Sequence, residues 1–396
     1  MRLRNFISVI LVAAAAVSCH HSEEGSTLEI PLKPAEGIIR MSTLYEGYRT
    51  VVPDGMLISG IIDVAVADSI LVVLGETDSG LVSIYGLEGD YRRSFLTRGR
   101  GPGEMTDIMA MACDMSAGTV DVLGNFGMDI YSFDIQTGRL KNSFSIGESE
   151  IRYAKDLLPA GDGRYLFYKD LSYIDGPEYE VYLYNPSTGE VEGRWLPLDK
   201  DFAEAASFSQ VNNLFEYGGR RFFYSAFSDG IYEFTGDTLV QYVRFADNGY
   251  NFTPEMKKRP WPQDLMAFVE ACQKSGRIWG HVDLFMIGDR TMSVYNYGKD
   301  SRYAAVMNLE KGTSISYSML EDDMVWGIGS DSFFSPYYLR YTDGEYAVYL
   351  VEPFDIIEKI EGSPASDDPT IESNRQALAK LPYESNQIIL MMKIRQ

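Results

Sequence analysis

The chain has 396 residues, 57 of them acidic and 35 basic, for a formal net charge of −22. This balance argues against nucleic acid or an anionic membrane surface as a partner. It also excludes a polyanionic substrate unless metal ions or a local basic patch intervene.

The first element in chain order is an export signal. Arg2 and Arg4 precede "FISVILVAAAAV", an apolar run too short to span a bilayer. Residues 1–18 are therefore expected to be a signal peptide. "AVSC", ending at Cys19, resembles the processing box of a bacterial lipoprotein, which implies a lipidated Cys19 and a flexible tether over 19–26. The serine and acidic residues that follow resemble the surface-export signal of Bacteroidetes lipoproteins, so an outer-membrane lipoprotein at the cell surface or facing the periplasm is expected. His20 and His21 lie in this tether and are read as incidental. Only Cys113 and Cys272 then remain, both in apolar surroundings; one optional pair is no disulfide framework for a chain of this size.

From residue 82 onward one pattern recurs. "VSIYGLEGDYRRSF" (82–95), "IYSFDIQTGRLKNSF" (130–144), "VYLYNPSTGEVEGRW" (181–195) and "IYEFTGDTLVQYVRF" (231–245) each run alternating apolar residues into a polar turn and out into a second short strand. Weaker copies lie at 304–319 and 346–360, and most copies carry one further strand upstream, as in "DSILVVLG" (68–75). Tyr85, Phe133, Tyr184, Phe234, Met307 and Tyr349, each just ahead of a turn, are 48, 51, 50, 73 and 42 residues apart. Period-two patterning with polar turns predicts antiparallel sheet. A small sheet cannot bury both of its apolar faces, whereas sheets packed radially cover one another's. The fold expected is all-β: one six-bladed β-propeller over 27–396.

The long interval predicts a short helical insertion at about 254–275, where Leu265, Phe268, Val269 and Cys272 have helical spacing. A second helix is expected at 370–380. The apolar end "NQIILMMKIRQ" (386–396) and "TLEIPL" (27–32) are candidates to close the ring, so strands from the two chain ends are expected to meet in one blade.

With its lipoprotein start, "YRRSFLTRGRGPGEM" (91–105) and terminal apolar strand, the chain resembles the six-bladed β-propeller lipoproteins of Bacteroidetes, similar in appearance to TolB-like and NHL-like propellers. Met105 stands where an aromatic residue is usual. The resemblance implies an exposed or periplasmic module, often considered beside glycan uptake, and supplies no catalytic residues.

The glycine-rich loop reads as a corner. It lacks the GK[ST] ending of a phosphate cradle and lies between strands. Gly99, Gly101 and Gly103 supply backbone freedom, Pro102 fixes one angle, and Arg98, Arg100 and Glu104 are candidates to contact a ligand. His281, the one histidine outside the tether, is read as structural, and a histidine-rich metal centre is excluded within one chain. No cofactor is expected. "DMSAGTVD" and "DDPTIESN" lack calcium-loop spacing, although calcium held by loops of several blades would leave no local motif.

Aromatic residues give the binding hint. Trp261, Trp279 and Trp326 fall in the insertion or in connections, and "DGRYLFYKDLSYIDGPEYEVY" (162–182) and "GSDSFFSPYYLRY" (329–341) are rich in rings. The leading expectation is a noncatalytic, monomeric envelope module binding a glycan, a peptide or a protein partner, with the lipid as its one membrane attachment. The alternatives are a metal-assisted hydrolase or carbohydrate-active enzyme using the central channel, and a scaffold in an outer-membrane assembly. Catalysis has the weakest support from named residues.

Overall fold

The computed structural model describes residues 27–396 except 34–35, 68, 116, 171–177, 200–201, 203–211, 263, 289–290, 298–301, 331–336 and 383. Cys19, His20 and His21, and parts of both ring-rich stretches, lie outside the described residues.

The architecture is an all-β propeller. Its first sheet holds Ser59–Ala67, Ile70–Thr77, Gly80–Gly86 and Tyr91–Phe95, each antiparallel to the next. The second (108–145), third (156–197) and fifth (280–317) repeat this four-stranded meander. The closing sheet is also four-stranded, in the order Tyr338–Thr342, Tyr346–Val351, Ile388–Ile394, Tyr45–Val51.

The expectation of a six-bladed propeller is corrected here: five sheets are four-stranded blades, and the fourth sheet in chain order is instead five-stranded. Its meander of Leu214–Tyr217, Arg220–Phe223, Gly230–Phe234 and Leu239–Phe245 gains Leu28–Ile30, which lies parallel on Val243–Phe245. "TLEIPL" therefore takes no part in ring closure. The two chain ends do meet in one sheet, but through Tyr45–Val51, with Ile389 opposite Val51 and Met392 opposite Tyr48. Between the two N-terminal pairings, Ile38–Arg40 lies parallel on Met319–Glu321 in a small three-stranded sheet.

Burial follows from radial packing. Gly80–Gly86 and Thr119–Gly124 are buried at every position, because both faces of each are covered by neighbouring sheets, whereas the outermost Leu140–Ser145 is almost wholly exposed. In the closing sheet, Leu390, Met392 and Ile394 pack toward Val282, Phe285 and Ala304 of the fifth. The alternate Ile389 and Met391 pack toward Val64, Leu71 and Val73 of the first. Period-two alternation thus serves two interfaces at once.

Among the described residues, one helical turn, Met41–Leu44, leads into Tyr45–Val51, and helices fill two longer connections. Pro254–Lys257 and Leu265–Lys274 lie between the fourth and fifth sheets; Asp264 caps the latter by accepting from the Ala267 amide at 2.9 Å. Pro353–Glu361 and Pro369–Leu378 lie within the closing sheet's long connection. The first of these corrects the reading of 346–360 as a strand pair. Pro353 occupies the first helical turn, and Ile356, Ile357 and Ile360 present one helical face to the core.

Candidate functional site

The innermost strands of the first four sheets and of the closing sheet surround a cavity of about 400 Å³. Two carboxyls lie deep in it, Asp63 on Ser59–Ala67 and Asp156 on Asp156–Gly161. Both are 4 % exposed. Each is held by backbone. The Val64 amide donates to Asp63 Oδ1 at 2.8 Å, and the Leu157 and Leu214 amides donate to the two Asp156 oxygens at 2.8 and 2.9 Å. Asp156 therefore staples the third sheet to the fourth.

Three further acids, Asp114, Glu216 and Asp343, are intermediate or exposed around the same cavity, beside Met115 at 42 % exposure. Arg221 is occupied: its Nε donates to the Pro159 carbonyl at 2.7 Å and its Nη2 stands 3.4 Å from Glu216. Thr342 lines the cavity and is 7 % exposed, yet its Oγ1 has no hydrogen-bond partner among the described residues.

Burial governs the electrostatics. Desolvation, and then the nearby Asp156, push Asp63 well above the usual carboxylate range. Desolvation pushes Asp156 up to about 7, against the opposing amides of Leu214, Leu157 and Asn213. The Cys113 thiol, also lining the cavity, is driven up by burial and by Asp63 and Asp121, so it is a poor nucleophile near neutrality.

This arrangement gives a testable pH dependence. With its folded pKa above the unfolded carboxylate value, Asp156 contributes stability that is full below the unfolded pKa and is lost as pH rises through about 7. Melting temperature is expected to fall between about pH 4 and about pH 7, and Asp156→Asn to flatten that slope. An unchanged slope in the variant would show that the carboxyl titrates normally.

None of the tryptophans and none of the glycine-rich loop residues singled out from sequence lines this cavity, although Cys113 and, at the end of the ring-rich stretch 329–341, Tyr341 do. Trp279 and Trp326 are 1 % and 2 % exposed, so as ligand-stacking candidates they are corrected: both rings are core. Trp279 packs with Phe227 and Cys272, and Trp326 stacks on Tyr337 at 6.3 Å between centroids. Trp261 is half-buried, its Nε1 donating to the Met256 carbonyl at 2.9 Å and its ring 5.2 Å from that of Phe268.

The glycine-rich loop closes on itself. The Gly101 amide donates to Glu104 Oε2 at 2.8 Å, the Gly99 amide to the Met105 carbonyl at 3.0 Å, and Met105 is fully buried. A Cβ on Gly99 would stand 1.9 Å from the Glu104 carboxylate, and Gly103 has a φ of +78°. Arg98 reaches Glu76 at 3.2 Å, while Arg100 and Pro102 are exposed. His281 is buried, its ring 4.5 Å from that of Phe245.

Asp63, Asp156 and Thr342 were not singled out. The available signal was a lone carboxyl inside an apolar strand, "IIDVAV", since a buried polar residue is more informative than an exposed apolar one.

The sequence pattern of a family described as Domain of unknown function (DUF4934) matches residues 38–393. A search of curated proteins finds no match. Among solved structures, the chain is similar to a Bacteroides fragilis NCTC 9343 protein inferred to be exported, at 14% identity over 94% of this chain and 100% of that chain, with a TM-score of 0.70. A protein of unknown function from Bacteroides caccae is similar at 12% identity over 66% of this chain and 82% of that chain, with a TM-score of 0.38. The first likeness is one of fold; an identity this low carries no activity across.

Proposed function

Given that the chain belongs to the DUF4934 family, we propose that it is a noncatalytic binding module of the cell envelope that takes a glycan, a peptide or a protein partner at its central cavity. One observation carries the reading: five innermost strands leave a cavity lined by polar as well as apolar residues, with an exposed rim. The chemistry around it is suited to holding rather than turning over. Asp156 gives both oxygens to backbone amides, and the Cys113 thiol stays protonated.

The finer points belong to the same proposal. The five-stranded sheet occupies the sixth blade position of a TolB-like or NHL-like ring. Residues 1–18 are removed as a signal peptide, and a lipidated Cys19 tethers the domain to the outer membrane through 19–26. The export inferred for the Bacteroides fragilis protein is consistent with this placement.

Met115→Trp tests the site, because Met115 lies at the rim, outside the core. Ligands found on glycan and peptide arrays are expected to bind the variant roughly tenfold more weakly, at unchanged melting temperature. Equal binding by both proteins would remove the cavity from the reading.

A second reading, a carbohydrate-active enzyme, has one observation in its favour: two buried carboxyls with raised pKa values share the cavity. Turnover of aryl glycosides that disappears in Asp156→Asn would support it, and absence of turnover across such a panel would sink it.

A further inference from the structure

Asn248 and Gly249 form the chain's one Asn-Gly pair, and both are exposed in the connection that leaves Leu239–Phe245 for the helical insertion. We propose that this pair is a self-modifying site: the Gly249 amide nitrogen closes on the Asn248 side chain, converts it to aspartate or isoaspartate, and thereby loosens the N-terminal segment from the fourth sheet.

The hydrogen bonds of the turn carry the argument. Such an attack needs a nucleophile that can lose its proton and a carbonyl polarised to receive it. The Gly249 N–H donates to Asp247 Oδ1 at 3.3 Å, so a carboxylate stands at the nucleophile as base. The Tyr250 amide donates to Asn248 Oδ1 at 3.0 Å, the atom on which negative charge develops as the side-chain carbonyl is attacked. That bond also holds the Asn248 carboxamide beside the peptide unit that follows it. Gly249, at a φ of +78°, has no side chain to screen its nitrogen.

Water is the one co-reactant the conversion needs. Gly249 N bonds to Asn248 Cγ, the Cγ–Nδ2 bond breaks, and Nδ2 leaves as ammonia with the proton that Asp247 relays from the Gly249 amide. Water then opens the cyclic imide at either carbonyl. One opening gives aspartate; the other routes the main chain through the side chain and gives isoaspartate. The exposure of both residues brings water to the ring.

The consequence lies across the turn. Asn248 Nδ2 donates to the Leu32 carbonyl, and the Ala246 amide donates to the Ile30 carbonyl at 2.9 Å. Just before these, Leu28–Ile30 holds the outer strand of the fourth sheet by only three residue pairs. A carboxylate in place of the carboxamide has no proton to give, and it sets negative charge against the Leu32 carbonyl oxygen. A short ladder thus loses a neighbouring fastening and gains a repulsion in its place.

Peptide mapping by mass spectrometry on the full chain, incubated at mildly alkaline pH, tests the chemistry, and isoaspartyl methyltransferase labelling identifies the rerouted product. Asn248 is expected to convert ahead of every other asparagine. Asp247→Asn should slow the conversion several-fold in the folded protein and leave the rate in urea unchanged, whereas loss of a bond that merely restrained the turn would speed it. Asn248→Asp supplies the aspartate product directly. Hydrogen exchange of the Leu28–Ile30 amides is expected to rise several-fold in that variant, with the first sheet unchanged. An Asn248 that stays amidated while other asparagines convert overturns the self-modification, and so does an Asp247→Asn variant that converts at the parent's rate or faster. Parent-like exchange in Asn248→Asp overturns the effect on the N-terminal segment.

Discussion

Deleting residues 386–396 is expected to abolish the cooperative unfolding transition. The strand Ile388–Ile394 is hydrogen-bonded on both sides, to Tyr346–Val351 and to Tyr45–Val51, so it is the link through which the two chain ends share a sheet. Ile388, Ile389, Leu390, Met391, Met392 and Ile394 are all essentially buried. At about 1.5–3 kcal/mol for each fully buried side chain, their removal forfeits about 10 kcal/mol or more, comparable with the whole stability of a typical domain. Two apolar interfaces open together, one toward the fifth sheet and one toward the first. The truncated protein should show a broad, shallow melt by circular dichroism and bind a hydrophobic dye. A truncated protein that melts as the full chain does would show that the ring holds without this strand.

Asp322→Ala is expected to cost about 3–5 kcal/mol, by leaving several buried donors without an acceptor. Asp322 is fully buried in the connection from the fifth sheet to the closing sheet, and its carboxylate organises the turn between Met319–Glu321 and Gly329–Ser330. Oδ1 accepts from the Met324 and Val325 amides at 3.0 and 2.7 Å, and Oδ2 from the Trp326 amide at 2.7 Å and the Tyr337 hydroxyl at 2.8 Å. No small apolar residue can replace those acceptors, and water has no access to a site this buried. Asp322→Asn keeps one acceptor oxygen and should lose less. Urea denaturation of the two variants beside the parent separates these outcomes. A parent-like midpoint for Asp322→Ala would mean that the turn keeps its shape through packing alone.

Both results depend on contacts between residues far apart in the chain, and that separation marks what the sequence conveyed. The hairpins at 82–95, 130–144, 181–195 and 231–245 are local: alternation and a polar turn sit within about fifteen residues, so the propeller was legible from them. The innermost strands carried no such signal. Asp156–Gly161 contains a proline and a glycine, and Ser59–Ala67 sets an aspartate among apolar residues that pack on both faces. The cavity is built from these strands, so the candidate site was hidden along with them.

Other errors share this non-local origin. Leu28–Ile30 pairs with Val243–Phe245, more than two hundred positions away, which no local pattern announces. Tyr45–Val51 is an outermost strand whose exposed positions are the polar Glu46, Arg49 and Thr50, and its apolar alternation is too weak to announce a strand. Trp279 and Trp326 are a different case. An indole in a connection can cover a core or face a ligand, and for Trp279 the packing of the insertion against Phe227 decided it.

The route of the N-terminal segment has a mechanical consequence. Between residues 28 and 51 it is fastened at three separate outer edges: on Val243–Phe245, on Met319–Glu321, and on Ile389–Ile394. Tension applied at Thr27 along the strand direction loads the first of these ladders in shear, so its hydrogen bonds share the force. Only when that fastening and the next have yielded does strain reach the strand that closes the ring. Pulled at Thr27, the segment is therefore expected to extend in two steps before the closing sheet bears load, which single-molecule stretching would record as two small force peaks ahead of the main one.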